Sequence, residues 1–191
     1  MRRRRGYGSM ARRRVGAPDA YSPPSFIGAG RRSIRRYLDR PVEDEKLNLV
    51  LEAARLAPSA GNYQDWKFIV VKDGGLRAKL ADLAGAEQFV KQSPVVIAAC
   101  GTNPGAVMAC GQYKYSVDLS IATSYMALEA HELGLGTCWL GHFYEKEVKD
   151  ILRIPEGVRV VALLSLGYPA EDPAPRPRKR LEEIVSYNEF K

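Results

Sequence analysis

The chain has 191 residues, 46% of them hydrophobic, which suits one domain with a real core and excludes a disordered or fibrous class. The formal charge is +7, yet seven of the 29 basic residues fall in the opening "MRRRRGYGSMARRR", leaving 22 basic against 22 acidic side chains elsewhere. The basicity therefore belongs to a tail and not to a domain surface built for nucleic acid, and no run approaches the roughly 18 apolar residues of a membrane span.

Residues 1–30 read as that basic, Gly/Pro-rich tail, and the globular domain as 31–191. The tail fits contact with nucleic acid or an anionic surface, or a start-site extension without a role. No apolar stretch follows its arginines, so it is not a secretory leader. Pro41–Ala57 is a predicted helix, with Leu47, Val50, Leu51 and Ala54 on one face and Glu43, Asp44 and Glu45 at its positive end. Pro58 stops it. "KFIVVKD" is a short strand ended by Gly74 and Gly75, and "LRAKLADLAG" a helix. "PVVIAACG" is a continuous apolar run, hence a strand buried on both faces.

"SVDLSIATSYMALEAHELGLG" is the longest predicted helix. Val117, Ile121 and Leu128 share its surface with Ser120, Ala122, Ser124 and Ala127, small residues that admit another backbone closely. Gly134 and Gly136 are read as its left-handed caps. "TCWLG" is a strand, "EKEVKDILRI" a helix stopped by Pro155, and "VRVVALLSLGYP" a second buried strand. The end is proline-stiffened through Pro173, Pro175 and Pro177, and then carries the apolar "LEEIVSY". Cys100, Cys110 and Cys138 are odd in number and form no CxxC pair, which reads as reduced thiols of a cytoplasmic protein. With only His131 and His142 beside them, no metal site is expected.

Three polar clusters stand out. They are "RRSIRR" (31–36), "PSAGNYQ" (58–64) and "RPRKR" (176–180). Arginine forks with a hydroxyl suit a phosphate, and amides such as Asn62 and Gln64 donate and accept at once, as the edge of a heteroaromatic ring requires. Together they suggest a mononucleotide.

Over residues 31–191 the sequence resembles the nitroreductase family of FMN-dependent oxidoreductases. The likeness lies in "RRSIRRYLDRPVEDEKLNLVLEAARLAPSAGNYQDWKFIVV", "ALEAHELGLGTCWLGHF" and "LGYPAEDPAPRPRKRLEEIVSY". The resemblance implies an α+β fold of three α/β/α layers, with a central mixed sheet and a C-terminal extension that wraps the partner of a homodimer. It implies that Arg31, Arg32, Ser33 and Arg35 hold FMN at the phosphate, ribityl chain and pyrimidine edge. Pro58, Ser59, Ala60, Asn62 and Gln64 would reach the flavin from the partner subunit. Trp139, Leu140 and Gly141 would lie along the ring, and Arg178 and Arg180 at the phosphate, with Lys179 able to replace either.

The implied activity passes hydride from NADH or NADPH through flavin N5 to a small electron-poor acceptor, such as a nitroaromatic or quinone. No catalytic side chain is assigned, because the flavin carries the chemistry. Tyr113, Lys114, Tyr115 and Phe143 are candidates for the acceptor pocket, and His142 for a position facing the flavin. The alternatives are another flavin reaction on the same fold (dehalogenation, dehydrogenation or flavin breakdown) and a nucleic-acid-binding protein led by the tail. Two departures from the family pattern are visible. Asp65 stands where the family's Gln-Pro-Trp has proline, and "SPPSFIGAG" stands where it has a regular helix.

Overall fold

The computed structural model describes residues 27–190. Of the basic tail read from the sequence over residues 1–30, residues 1–26 lie outside them. A one-turn 3₁₀ helix, Ile27–Ala29, precedes the domain. Four helices then alternate with four strands: α1 (Asp44–Arg55), β1 (Trp66–Val71), α2 (Gly74–Asp82), β2 (Val95–Gly101), α3 (Lys114–Glu132), β3 (Gly136–Leu140), α4 (Glu145–Leu152) and β4 (Arg159–Gly167). This is the order expected from the hydrophobic patterning.

The sheet runs β1-β2-β4-β3, and its three ladders are antiparallel. The parallel pairing is a single bridge, Ser33 with Thr137. β2 and β4 are central, and both are buried along almost their whole length. Side chains alternate between faces along a strand. Val95 and Ile97 accordingly join Leu164 and Leu166 in a core with Val50 and Ala54 of α1 and Met126 and Ala130 of α3. Val96 and Ala98 point the other way, with Leu163, into a core with Leu80 of α2 and Val148 of α4. Three layers result, α1 and α3 on one side and α2 and α4 on the other.

The ends of the helices have local causes. α2 begins where Asp73 Oδ1 accepts the Leu76 amide at 2.7 Å. α1 begins after Glu43, three residues inside the predicted start at Pro41. The Glu43 carboxyl accepts from Tyr168 and Arg40, which hold it down to about 2. α4 ends with Arg153 in the left-handed region at φ 54°, before Pro155 is reached.

Two expectations for α3 need correction. Gly134, at φ 74°, is the left-handed residue after the helix, but Gly136 is the first residue of β3. What Gly136 provides is close packing, since a Cβ there would lie 2.6 Å from Ile34 Cγ1. The buried side of α3 is Leu119, Ala122, Met126 and Ala130, not Val117, Ile121 and Leu128. Those three are only partly buried, and Ser120 and Ser124 beside them are exposed. The hydroxyls of Ser120 and Ser124 bond back to the Ser116 and Ser120 carbonyls at 2.7 and 2.8 Å, so this face presents small residues without stranded polar groups. Residues 172–180 form no helix or strand, and Leu181, Ile184, Tyr187 and Phe190 are all exposed, Phe190 fully at 102%.

Candidate functional site

The segment Arg31–Arg35 has no helical or strand pattern of its own. It is held because the Ile34 amide donates to the Thr137 carbonyl at 2.9 Å, docking it beside β3. Ile34 is buried over Gly136. Tyr37 fixes the segment from below, its hydroxyl donating to the Ile34 carbonyl at 2.8 Å and lying 2.7 Å from Ser165 Oγ. Alternation then sends Arg31, Ser33 and Arg35 to the side opposite Ile34.

These three meet around Cys138. Burial pushes the Cys138 thiol up, against the opposing pull of Arg35, a hydrogen bond from Ser33, and Arg31. The thiol is therefore neutral at pH 7. Arg31 and Ser33 line a cleft of about 470 Å³ with Ser124, Leu128, Thr137 and Trp139. Arg35 lines the adjoining cleft of about 100 Å³ with Glu87, Phe89, Cys138, Gly141 and His142. Trp139 belongs to both and is 46% exposed, although its strand neighbours are buried. Arg40, Arg55, Arg159 and Arg180 each pair with a carboxylate. Among the described residues the Arg31 and Arg35 guanidiniums form no such pair; Arg35 only approaches the Phe89 ring, at 6.0 Å from its centroid. Arg32 differs: its guanidinium is spent on the Ala29 and Arg31 carbonyls at 2.9 and 3.0 Å.

The polar turn Pro58–Gln64 lies elsewhere in the protomer. It lines neither cleft. Its backbone is left-handed at Gly61, Asn62 and Gln64, with φ of 62°, 56° and 54°. Ser59 Oγ accepts the Gln64 amide at 3.1 Å, and the Gln64 side chain donates to the Asn62 carbonyl and Oδ1 at 3.1 and 3.2 Å. Asp65, the departure from the family pattern, accepts from Asn103 Nδ2 at 3.1 Å and from the Thr102 amide at 3.1 Å through its carbonyl. It thus fastens the turn to the loop after β2. Arg178 and Arg180 are exposed on the irregular C-terminal segment, with Arg180 engaged by Glu182 and Glu183.

One protomer therefore brings together Arg31, Ser33, Arg35, Trp139, Leu140 and Gly141, and leaves the turn and the late arginines apart. Of the acceptor-pocket candidates, Phe143 packs in the second core. The Tyr113 and Tyr115 rings lie tilted to one another with centroids 5.7 Å apart near the turn, and Lys114 sits over the Tyr63 ring. Glu87 and Phe89 are not singled out by the sequence, and Cys138 only as one of three reduced thiols. Cys138 had a signal, since it precedes Trp139 in "TCWLG"; Glu87 and Phe89 sit at the start of a short 3₁₀ helix, Gln88–Lys91, before β2 and had none.

The family model of the Nitroreductase family matches residues 29–112 and 85–168. The chain belongs to the nitroreductase family. An Archaeoglobus fulgidus relative, whose name couples NADH dehydrogenase with NAD(P)H nitroreductase, is 38% identical over 149 residues, 74% of this chain and 83% of its own. The FMN reductase [NAD(P)H] of Bacillus subtilis is 32% identical over 175 residues, 83% of this chain and 70% of its own. Among solved structures, an FMN-dependent nitroreductase from Clostridium difficile superposes with a TM-score of 0.74 at 34% identity, covering 84% of this chain and 96% of its own. The residues matched by the family model span the docked Arg31–Arg35 segment and β3 alike. No helix among the described residues is long and apolar enough to cross a membrane, and none of their His, Cys, Asp and Glu groups forms a cluster able to hold a metal ion.

Proposed function

We propose that this nitroreductase-family protein is an FMN-dependent oxidoreductase that passes reducing equivalents from NADH or NADPH to a small electron-poor acceptor, working as a homodimer. The observation that carries this reading is the docking of Arg31–Arg35 along β3, which sets two uncommitted guanidiniums and a hydroxyl beside Trp139.

The residues fit the cofactor. Arg31 and Ser33 offer the charge-assisted donors a phosphate requires. Arg35 stands near the open end of β3, where Leu140 closes the ladder and Gly141 leads out of it. Positive charge there favours a ring that gains negative charge. FMN, when bound, supplies the hydride chemistry. The chain binds and orients it, and burial keeps the Cys138 thiol neutral beside it. No side chain is assigned a proton-transfer role.

In this reading the turn completes the site from the partner, and Arg178 and Arg180 act at the phosphate. Support comes from three features of one protomer: a turn rich in amides that lines neither of the two clefts, an exposed small-residue face on α3, and an exposed apolar tail.

The test is colour. Purified protein should be yellow, with about one FMN per chain, and should prefer FMN over riboflavin. Arg31→Ala should weaken FMN binding by about 1.5–3 kcal/mol. A colourless protein that cannot be reconstituted with FMN would overturn the reading.

A further inference from the structure

The turn that carries Asn62 is strained and is held from outside. Two of its non-glycine residues, Asn62 and Gln64, are left-handed, a conformation that survives only where its surroundings enforce it. The first turn and a half of α3 supplies two ties. The Ala60 amide donates to Asp118 Oδ1 at 3.0 Å. The Lys114 ammonium lies 4.3 Å from the centroid of the Tyr63 ring. Lys114 is one helical turn before Asp118, the spacing of an ion pair, yet no such pair forms; the ammonium goes to the ring instead.

Asp118 is the unusual member. It is 5% exposed, and among the described residues no cation pairs with it. A buried carboxylate without a counter-ion is costly unless hydrogen bonds hold it. The core needs nothing polar there, since Leu119 and Ala122 fill the adjacent buried positions completely. A carboxylate at this place does one thing an apolar residue cannot: it takes the amide of Ala60 and sets the entry to the Gly61–Asn62 bend.

We infer that Asp118 is a positioning residue, which through the Ala60 amide presets the Ser59–Gln64 turn for the flavin bound by the other subunit. The inference rests on the FMN-dimer reading above. It adds that a residue on α3 tunes a site to which its own protomer contributes only the turn. The same helix lines its own protomer's cleft through Ser124 and Leu128, so α3 serves both sites of the dimer.

The test uses the full chain, with FMN affinity read from flavin fluorescence and stability from thermal unfolding. Asp118→Ala should weaken FMN binding about tenfold, the size of one lost hydrogen bond to a charged group. Asp118→Asn keeps an oxygen acceptor and should stay within about threefold of the parent. Leu119→Ala, a cavity at the neighbouring buried position, should lower the unfolding midpoint while leaving FMN affinity within about threefold. Equal FMN affinity in Asp118→Ala and the parent would overturn the inference, and so would a matching loss in Leu119→Ala.

Mixed dimers locate the effect. Pairing an Arg31→Ala chain with an Asp118→Ala chain should restore one tight FMN site per dimer, because both lesions then fall in the same site. If Asp118 served its own protomer's cleft, each site would keep one lesion and no tight site would return, which sinks the inference. A parent chain that binds no FMN overturns the underlying reading, and this inference with it, before any variant is made.

Discussion

The Ile34 amide and the Thr137 carbonyl meet at 2.9 Å, and this contact turns a run of arginines into one wall of a cleft. It can form only because Gly136, next to Thr137, leaves room for the Ile34 side chain. Docking of the segment and order at the site are thus the same event.

Gly136→Ala follows directly. Its new Cβ would press on Ile34 Cγ1, Cβ and Cγ2 at 2.6, 2.9 and 3.0 Å. Overpacking of this kind costs about 1–3 kcal/mol. Denaturant unfolding should show that loss, and FMN titration should show weaker binding, because Arg31 and Ser33 are pushed off β3. The double variant with Ile34→Ala should cost less than the sum of the two single changes.

Tyr37 should shape the alkaline limb of stability. Burial raises its hydroxyl well above the ordinary 10.0, against the lowering effect of the Ser165 hydrogen bond. The folded state therefore keeps the proton that the unfolded chain releases. The stabilisation is fully present below pH 10.0 and is lost as pH rises from there toward the folded value. Tyr37→Phe should cost about 1–3 kcal/mol at pH 7, since the Ile34 carbonyl and Ser165 lose a buried partner. The gap between parent and variant should narrow above pH 10.0. A gap that stays constant with pH would count against a neutral buried hydroxyl.

The three thiols should divide by burial. Cys110 is exposed, whereas Cys100 and Cys138 are buried, and burial pushes the Cys100 thiol up to about 11. Iodoacetamide on the native protein at pH 8 should modify Cys110 quickly and the other two only on unfolding. Cys138→Ser should leave turnover nearly unchanged. Loss of turnover with FMN still bound would reveal a thiol with a chemical role.

Assembly is tested by mass and by exchange. Light scattering of FMN-loaded protein should give twice the 21.2 kDa of one chain. Removing residues 181–191 deletes Leu181, Ile184, Tyr187 and Phe190, all exposed on the protomer, and should weaken both dimer and FMN binding. An Arg31→Ala chain mixed with an Asn62→Ala chain should regain activity as the chains exchange, since one site of each mixed dimer is intact. Active protein with the mass of a single chain would refute the shared site.

The sequence by itself determined the alternation of helices and strands and the two central strands, because hydrophobic period and unbroken apolar runs are local signals. "PVVIAACG" and "VRVVALLSLGYP" are buried along nearly their whole length, as those runs require. It also carried the family's motif residues, which are adjacent in the chain and so legible without a fold. The tertiary structure alone decided which of them meet. Arg31, Ser33 and Arg35 reach Trp139 only through a bond spanning some hundred residues, whereas Arg32, their neighbour, turns back to the Ala29 and Arg31 carbonyls. Gly136 reads as a helix cap in the sequence, because nothing local reveals that Ile34 will lie against it. Asp118 reads as one more helix polar residue until the Ala60 amide is found at its oxygen. Contacts between residues far apart in the chain depend on how layers pack, and no local period encodes that.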